Sequence, residues 1–539
     1  MPENTPKVIL APQARSALKS GFDQMAKLLA ISLGPTQGIV FHTEALKPKP
    51  EPLSDAATIA RRMTALPGRE ENAGAMLMRS LAWRVHQRVG DGSALTAVLA
   101  QAILDQATRF VVAGANPVRV QDGIERAAAQ AIAHVRDMAK PVNGPEELAA
   151  AAYTATREPS LSFILGEMFS LLGKHAHIRI ENYMAPYLER EYIDGGLWEA
   201  KLITPHLLNT GSKSIARNCN IALYHGNLEN AEQVLPLIKI LSQKSEKDLL
   251  LVAHKISGQA LNTLSATYIQ NKNRLNIVAV DLTRAGEKAL GDLQDLAILT
   301  GAKLFNPEAG DRFESIQETD LGFALRAEAK DENLIVSGAK NALVPPSAEM
   351  DALQKYLDGL DFDDDERGEI EMRLGRLSGS MGILKIGAYT QNERDLLRQK
   401  AEQGLKALRA AQQGGLVPGG GTAFLHCIAR IEQMSCADDD ERLGYRALAH
   451  ALRKPFEQIL ANAKIENPKR LAHEISSTAP GLIFDIYQGK TCPADEAGIL
   501  DCAKTLIICL ETAASGAQMA LSTDVIVLKR NPRISYEPG

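Results

Sequence analysis

Apolar residues recur at helical spacing from residue 13 to residue 139. The predicted helices are 13–34, 71–90, 93–114 and 116–139. In the third, one face carries Leu95, Val98, Leu99, Ala102 and Ile103, which is typical of a helix packed on a core. Ser93 opens this helix and is a candidate N-cap, because its hydroxyl could accept from a free N–H group.

The pattern changes in the middle of the chain. Short β-rich runs are predicted at 177–184, 220–226, 248–254, 275–282 and 303–308. Helical patterns at 230–243 and 258–270 lie between them, and this alternation favours an α/β domain over about residues 190–380. Helices over 346–379, a strand at 382–390 and further long helices follow. The pattern predicts an α+β multidomain fold, in which the α/β domain is inserted centrally into a discontinuous helical domain.

Composition narrows the class of protein. The 539 residues are too many for a single hydrophobic core. With a net charge of −5 and no basic block, neither nucleic acid nor an anionic membrane surface is an expected partner. The N-terminus lacks a signal-peptide pattern and no apolar run is expected to reach the ~18 residues of a membrane span, so a soluble cytoplasmic protein is expected. None of the six cysteines form a C-x-x-C pair, which argues against a zinc or redox motif.

Three glycine-rich turns are the candidate ligand-binding segments of the chain. "GDGS" (90–93) precedes a helix, whose N-terminus attracts anions, and Asp91 would need a cation such as Mg²⁺ to bridge it to a phosphate. Taken alone, this turn is a weak signal for a phosphate site, because glycine more often only punctuates the chain at a plain turn. "SLGPTQG" (32–38) and "GGLVPGGGTAFLH" (414–426) are further glycine turns. Neither fits the P-loop or the G-x-G-x-x-G pattern.

Taken together, these turns resemble those of the group I chaperonins, the bacterial 60 kDa GroEL family. The resemblance rests on six segments in the family's order: "LAISLGPTQGIV", "VGDGSALTAVLAQAI", "GANPVRVQDGIERA", "GILKIGAYT", "ALRAAQQGGLVPGGGTAFL" and "GILDCAK". It implies a ring of subunits that uses ATP and Mg²⁺. It also implies a mostly helical equatorial domain (1–137 and 414–539), a small α/β intermediate hinge domain (138–189 and 380–413) and an α/β apical domain (190–379).

The resemblance carries the family's nucleotide site over residue by residue. The implied nucleotide-binding residues are Ser32, Leu33, Gly34, Pro35, Asp91, Gly92, Ser93, Ala94, Leu95, Gly420 and Asp501. Asp91 is the implied Mg²⁺ ligand, and Asp501 the implied ribose-binding residue. Asp55 matches the aspartate that helps to organise hydrolysis.

Several positions depart from the family's pattern. Ser93, Ala94 and Leu95 stand where the family has three threonines, Ser54 replaces a lysine, and Ala155 is expected in place of a serine that faces the site.

The family's catalytic aspartate falls on Gln403. An amide cannot take a proton at neutral pH, and the loss of a general base typically costs about 10²- to 10⁴-fold in rate. Glu402 should not substitute, because neighbouring residues on a helix point about 100° apart.

The implied substrate-binding residues of the apical domain are Leu202, Leu235, Ile238 and Leu261. Lys201 and Ser265 occupy positions that are usually apolar. A less apolar groove should hold unfolded chains less strongly.

The resulting hypothesis is a chaperonin-like protein that binds client polypeptides, with ATP binding retained and hydrolysis impaired. One alternative is a fully active ATP-dependent folding chaperonin. The other is a scaffold that keeps the fold without the ATPase. The implied partners are client polypeptides, a co-chaperonin, and either further copies of this chain in a ring or a conventional chaperonin.

Overall fold

The chain folds into two compact units. The computed structural model describes residues 7–36, 38–44, 47–173, 177–271, 275–339, 347–360, 364 and 366–528. Unit 1 comprises Met1–Ser170 and Leu396–Gly539, and unit 2 comprises Leu171–Asp395. A central unit inserted into a discontinuous helical one is the predicted arrangement. The boundaries of the three implied domains remain a prediction.

The helices and strands follow in chain order. The helices are α1 (Gln13–Ala30), α2 (Ala56–Arg62), α3 (Arg69–Val89), α4 (Ser93–Val112), α5 (Pro117–Met138), α6 (Gly144–Thr156), α7 (Pro159–Leu172), α8 (Ala231–Gln243), α9 (Gly258–Gln270), α10 (Glu287–Thr300), α11 (Ser347–Gly359), α12 (Glu366–Leu377), α13 (Gln391–Gly414), α14 (Thr422–Glu432), α15 (Asp439–Ala451), α16 (Lys454–Asn462), α17 (Pro468–Ser476), α18 (Ala494–Ala497) and α19 (Ala503–Leu521). The strands are β1 (Lys7–Leu10), β2 (Val40–Glu44), β3 (Lys47–Leu53), β4 (His177–Asn182), β5 (Leu188–Asp194), β6 (Gly196–Leu202), β7 (Lys213–Leu228), β8 (Leu249–Ile256), β9 (Ile277–Leu282), β10 (Leu304–Phe305), β11 (Gly322–Lys330), β12 (Asn333–Ala339), β13 (Ser380–Ile386), β14 (Leu416–Pro418), β15 (Leu482–Asp485), β16 (Lys490–Pro493), β17 (Leu500–Cys502) and β18 (Val525–Leu528).

Unit 1 is mainly helical. Its core side chains come from one face each of α1, α3 and α5 and from nearly the whole first half of α4. Strands β1 and β18 pair antiparallel, from Lys7 opposite Leu528 to Leu10 opposite Val525. The first and last described strands of the chain therefore lie side by side in this unit.

Unit 2 is built on a sheet that closes on itself. Its strand order is β10-β7-β11-β12-β6-β9-β8, and β7 also pairs with β8. The sixteen-residue β7 makes this closure, because its first part pairs with β11 and its second part with β8. Helices α8 and α9 pack on one apolar cluster of the sheet, and α10, α11 and α12 on another. A smaller sheet has the order β4-β13-β5.

Helix α4 is the one helix among the described residues that could cross a membrane by length and composition. The expectation that no apolar stretch would be long enough for a membrane span is therefore wrong by this criterion. Half of its most apolar window is buried inside the protein. A core helix passes the same test, so α4 is only weak evidence for a membrane span.

Candidate functional site

Unit 1 contains a cavity of about 470 Å³, here called the main cavity, where α1 ends and α4 and α14 begin. Every predicted nucleotide-binding residue except Ser93 lines it. A second cavity of about 170 Å³, the side cavity, shares four of these predicted residues with it, namely Ser32, Asp91, Gly92 and Ala94. Segments that are far apart in sequence therefore meet around one continuous site.

The N-terminus of α4 forms one wall. Gly90 and Gly92 have φ angles of +75° and +93°, a region that favours glycine. A Cβ atom on Gly92 would lie 2.4 Å from the Sγ atom of Cys509, so packing also requires glycine here. Between the two glycines, the Asp91 Oδ1 atom accepts a hydrogen bond from the Gly92 N–H group at 2.7 Å. The first turn of α4 brings free N–H groups and a carboxylate to the same edge of the cavity.

Ser93 is not the N-cap of α4, contrary to the sequence prediction. Gly92 holds that position, and Ser93 is the first helical residue. Its buried hydroxyl donates to the carbonyl oxygen of Ala82 in α3 at 2.8 Å. Ser93 lines the side cavity, but this hydroxyl is committed to the helix packing.

The N-terminus of α14 forms a second wall. Gly420 and Gly421 both have positive φ angles, +66° and +79°, and Gly421 is the N-cap of α14. Strand β17 places Asp501 opposite Val417 of β14, directly before this turn. The sheet pairing thus explains why "PGGG" and "GILD" act as one site although about eighty residues separate them.

The loop after α1 forms a third wall. Helix α1 was predicted to end at Gly34, but it ends at Ala30. The chain then turns through residues 32–35. The Asn462 side chain of α16 donates to the carbonyl oxygens of Ala30 and Leu33 at 2.9 and 2.7 Å. These bonds hold the loop against the cavity. Gln37 of the same sequence motif lies outside the described residues.

The remaining wall of the main cavity is mostly apolar. Its side chains come from α6, α16, the β15–β16 hairpin and the segment before β17: Tyr153, Phe456, Ile459, Leu460, Phe484, Ile486, Tyr487, Ile499 and Leu500. An apolar pocket joined to two helix N-termini suits a ligand with a flat ring at one end and anionic groups at the other.

The side cavity holds the two residues predicted to take part in hydrolysis. Asp55 is the N-cap of α2, and its Oδ2 atom accepts from both the N–H and the hydroxyl of Thr58 at 2.8 Å. Gln403 projects from α13, is 6% exposed and lines the same cavity. Glu402, its neighbour, lies on the exposed face of α13 and forms an ion pair with Arg398 at 3.3 Å. As predicted from helix geometry, Glu402 does not face the site.

Three carboxylates share the polar end of the site. Burial raises the pKa of Asp91, while the charge of Arg157 and a hydrogen bond from Gly92 lower it. Burial, followed by repulsion from Asp91, raises the pKa of Asp501 to about 6, although hydrogen bonds from the backbone of Gly421 and Gly420 oppose this shift. Asp55 also repels Asp91. Burial and mutual repulsion therefore oppose the ionisation of Asp91 and Asp501.

We expect Asp501→Asn to stabilise the ligand-free protein at pH 7.5 by about 1–2 kcal/mol. The pKa of Asp501 is about 6 in the folded protein and about 3.9 in an unfolded chain. The unfolded chain therefore loses its proton first, and ionised Asp501 lowers the free energy of unfolding as pH rises. Thermal unfolding across pH 4–8 should show the advantage of the variant shrinking between about pH 6 and pH 4. A variant less stable than wild type throughout this range would mean that the carboxylate is net stabilising.

Two polar residues of the site were missed at the level of sequence. Thr154 and Arg157 line both cavities, and the Thr154 hydroxyl is among the groups that lower the pKa of Asp91. The sequence predicts that Ala155 replaces a serine that faces the site, and so predicts no hydroxyl there. The structure shows that Thr154 of α6 brings a hydroxyl to the site. Nothing in the sequence marks Arg157.

Unit 2 carries the predicted substrate-binding residues on three elements. Leu235 and Ile238 lie on α8, Leu261 on α9 and Leu202 at the end of β6. Leu235 is 49% exposed, while the other three are half-buried and pack on the apolar clusters of the sheet. Of the two polar replacements, Lys201 is exposed and Ser265 is half-buried. The accessible apolar area of this surface is therefore modest, with Leu235 as its main exposed member.

Sequence comparison relates the whole chain to one family. Residues 25–531 match the TCP-1/cpn60 chaperonin family. Chaperonin GroEL 2 of Cereibacter sphaeroides is 30% identical over 534 residues, which cover 98% of this chain and 97% of that protein.

Structural comparison gives the same fold. The chaperonin gp146 from bacteriophage EL 2 (Pseudomonas aeruginosa), crystallised in the presence of ATP-BeFx, aligns with a TM-score of 0.69 and 16% identity. The alignment covers 97% of this chain and 99% of that one. A second crystal form of gp146 aligns with a TM-score of 0.60 and 15% identity.

Proposed function

The chain belongs to the TCP-1/cpn60 chaperonin family, and from this premise we propose that it binds ATP and Mg²⁺ in unit 1 but hydrolyses ATP only slowly. The observation that carries the proposal is that Gln403 and Asp55 line the same side cavity. The resemblance to the family assigns the catalytic aspartate to the position of Gln403. The protein would then act by holding client polypeptides, without a fast nucleotide cycle.

The residues of the main cavity fit a magnesium nucleotide. The N-terminus of α4 offers backbone N–H groups to phosphates, and the apolar wall offers a surface to a base. Among the described residues, no three His, Cys or acidic side chains group as metal ligands. A Mg²⁺ ion would therefore be held by Asp91 together with phosphate and water oxygens, as this ion prefers. When bound there, Mg²⁺ would neutralise charge on the phosphates.

The residues of the side cavity support slow hydrolysis. Asp55 accepts two hydrogen bonds from Thr58, which fix its carboxylate at the start of α2. Gln403 offers only an amide, which cannot remove a proton from an attacking water. Ala94 and Leu95 replace phosphate-facing hydroxyls with apolar side chains. The position of the family's catalytic aspartate therefore carries no group that can take a proton.

The test is equilibrium binding and steady-state turnover of ATP by the purified full-length protein, each with and without Mg²⁺. We expect Mg²⁺-dependent binding and turnover well below that of a conventional chaperonin measured beside it. Rapid turnover would favour the fully active alternative, and a failure to bind ATP would favour the scaffold.

Exposed apolar residues on the β1–β18 pair, namely Val8, Leu10, Val525 and Val527, support assembly into a ring. Rates are therefore normalised per subunit after the oligomer mass has been measured.

Client holding is proposed for the surface formed by α8 and α9. We expect Leu235→Ser to weaken suppression of aggregation of an unfolded test protein about fivefold, since about 1 kcal/mol of apolar contact is lost per subunit. Leu325→Ser is the matched control, because Leu325 is 56% exposed but lies on β11. Equal losses for the two variants would mean that clients are held by general surface hydrophobicity.

A further inference from the structure

Arg157 lies at the junction of the two cavities. It lines both of them, together with Asp91, Gly92 and Thr154. Its charge lowers the pKa of Asp91 and that of Asp501, against the larger effect of burial. Arg157 is therefore close to both carboxylates at the polar end of the site.

The backbone of Arg157 has an unusual conformation. Its φ angle is +55°, and it caps the C-terminus of α6 through a hydrogen bond from its N–H group to the Tyr153 carbonyl oxygen at 3.0 Å. Glycine and asparagine are the residues that usually occupy this position. An arginine here is not explained by the local backbone, and strained residues of this kind cluster at functional sites.

The guanidinium group of Arg157 is available to a ligand. In the described part of the chain it forms no hydrogen bond or ion pair, and the group has five N–H donors. Lys400 also lines the side cavity, but its Nζ atom is bound to Glu158 Oε1 at 2.7 Å. Arg157 is thus the cation of the site whose charge is not already paired.

The charge of the site makes such a cation necessary for an anionic ligand. Asp55, Asp91 and Asp501 are all acidic, and Ser54 offers no charge where the family has a lysine. A nucleotide triphosphate with one Mg²⁺ ion carries about two net negative charges. It would be repelled by the carboxylates unless a neighbouring cation met its phosphates.

We propose that Arg157 binds the terminal phosphate of the nucleotide and makes the site selective for triphosphates. Because Arg157 lines both cavities, it lies beside the first turn of α4 and beside the side cavity that contains Asp55 and Gln403. A planar guanidinium can donate two parallel hydrogen bonds to one phosphate. This inference rests on the proposed function, because it assumes that the main cavity takes a nucleotide.

The test compares dissociation constants for ATP, ADP and AMP in the presence of Mg²⁺. The full-length proteins are wild type, Arg157→Gly, Arg157→Lys and Arg398→Ala, and Arg398 serves as a control arginine on the exposed face of α13. We expect Arg157→Gly to raise the Kd for ATP by about 10- to 100-fold, the usual effect of losing hydrogen bonds to a charged group. The Kd for AMP should not change, and Arg157→Lys should lie between glycine and wild type.

The choice of glycine separates binding from folding. Glycine accepts the positive φ angle, so the ligand-free Arg157→Gly protein should be at least as heat-stable as wild type. Equal weakening of ATP and AMP binding, or an unchanged Kd for ATP, would overturn the role of Arg157 and leave the proposed function intact. If wild type binds none of the three nucleotides, the proposed function fails and the inference fails with it.

Discussion

Gln403→Asp is expected to raise the steady-state rate of ATP hydrolysis by about 10²- to 10⁴-fold over wild type, the usual contribution of a positioned general base. Gln403 is 6% exposed and lines the side cavity with Asp55. Aspartate is smaller than glutamine, so the exchange needs no new space. It changes the group from an amide that cannot accept a proton to a carboxylate that can.

The pH profile of Gln403→Asp carries further information. The new carboxyl group would be buried and close to acidic residues, both of which raise the pKa of a carboxylic acid. A base must be ionised to act. We therefore expect the rate of the variant to increase with pH above the ordinary aspartate range, while the slow rate of wild type shows no such dependence on residue 403.

Gln399→Asp is the matched control. Gln399 lies one turn before Gln403 on α13, lines the same cavity and donates to the Thr58 hydroxyl at 3.1 Å. An aspartate there adds the same charge to the same cavity at a different point. The assignment would be wrong if both variants gained activity equally. It would also be wrong if Gln403→Asp bound ATP normally but gained no activity, since a carboxylate at this position would then not act as the base.

Apolar periodicity predicts the first long helices of unit 1 and two helices of unit 2 well. The predicted helix 258–270 coincides with α9, and the helices predicted for 71–90 and 116–139 differ from α3 and α5 by one or two residues at each end. These segments have strong apolar periodicity and clear end signals, such as Gly90 in the left-handed conformation at the end of α3. Local sequence and tertiary packing agree there.

Several strands of unit 2 left no such signal. The segment "GFALRAEAK" forms β11, although alanine, glutamate and lysine are helix formers. It pairs with β7 on one side and β12 on the other, so long-range pairing overrides local propensity. Strand β7 was predicted only over 220–226, because its first half alternates polar and apolar residues less clearly. The closed sheet could not be predicted without these strands.

The residues of the candidate site also divide into those that could be predicted from the sequence and those that could not. Glycine turns and acidic residues at helix starts were visible in the sequence because their chemistry is local. Arg157 could not be predicted in this way. It reaches the site because it adopts the left-handed conformation at the end of α6, and arginine is not a residue typical of that conformation. The packing that holds the site together was equally hidden, and it leads to the second large effect.

Gly21→Ala is expected to destabilise unit 1 by about 3 kcal/mol or more, at the upper end of what overpacking costs. Helices α1 and α3 cross in backbone contact at this point. A Cβ atom on Gly21 would lie 1.7 Å from the Glu71 carbonyl oxygen, and one on Gly74 would lie 1.8 Å from the Leu18 carbonyl oxygen. No side chain can rotate away to relieve these clashes, so the two helices must separate.

Separation of the helices should also weaken nucleotide binding, although Gly21 does not line the site. Helix α1 leads into the Ser32–Pro35 loop, and α3 leads through Gly90 to Asp91. Calorimetric unfolding and ATP binding should therefore both report the change. Gly368→Ala is the control, because Gly368 lies in α12 with open space around its Cβ position, and alanine should stabilise a helix there by up to about 1 kcal/mol. If Gly21→Ala is as stable as wild type, α1 and α3 do not cross this closely. If it is unstable but binds ATP normally, the two helices do not position the loops of the site.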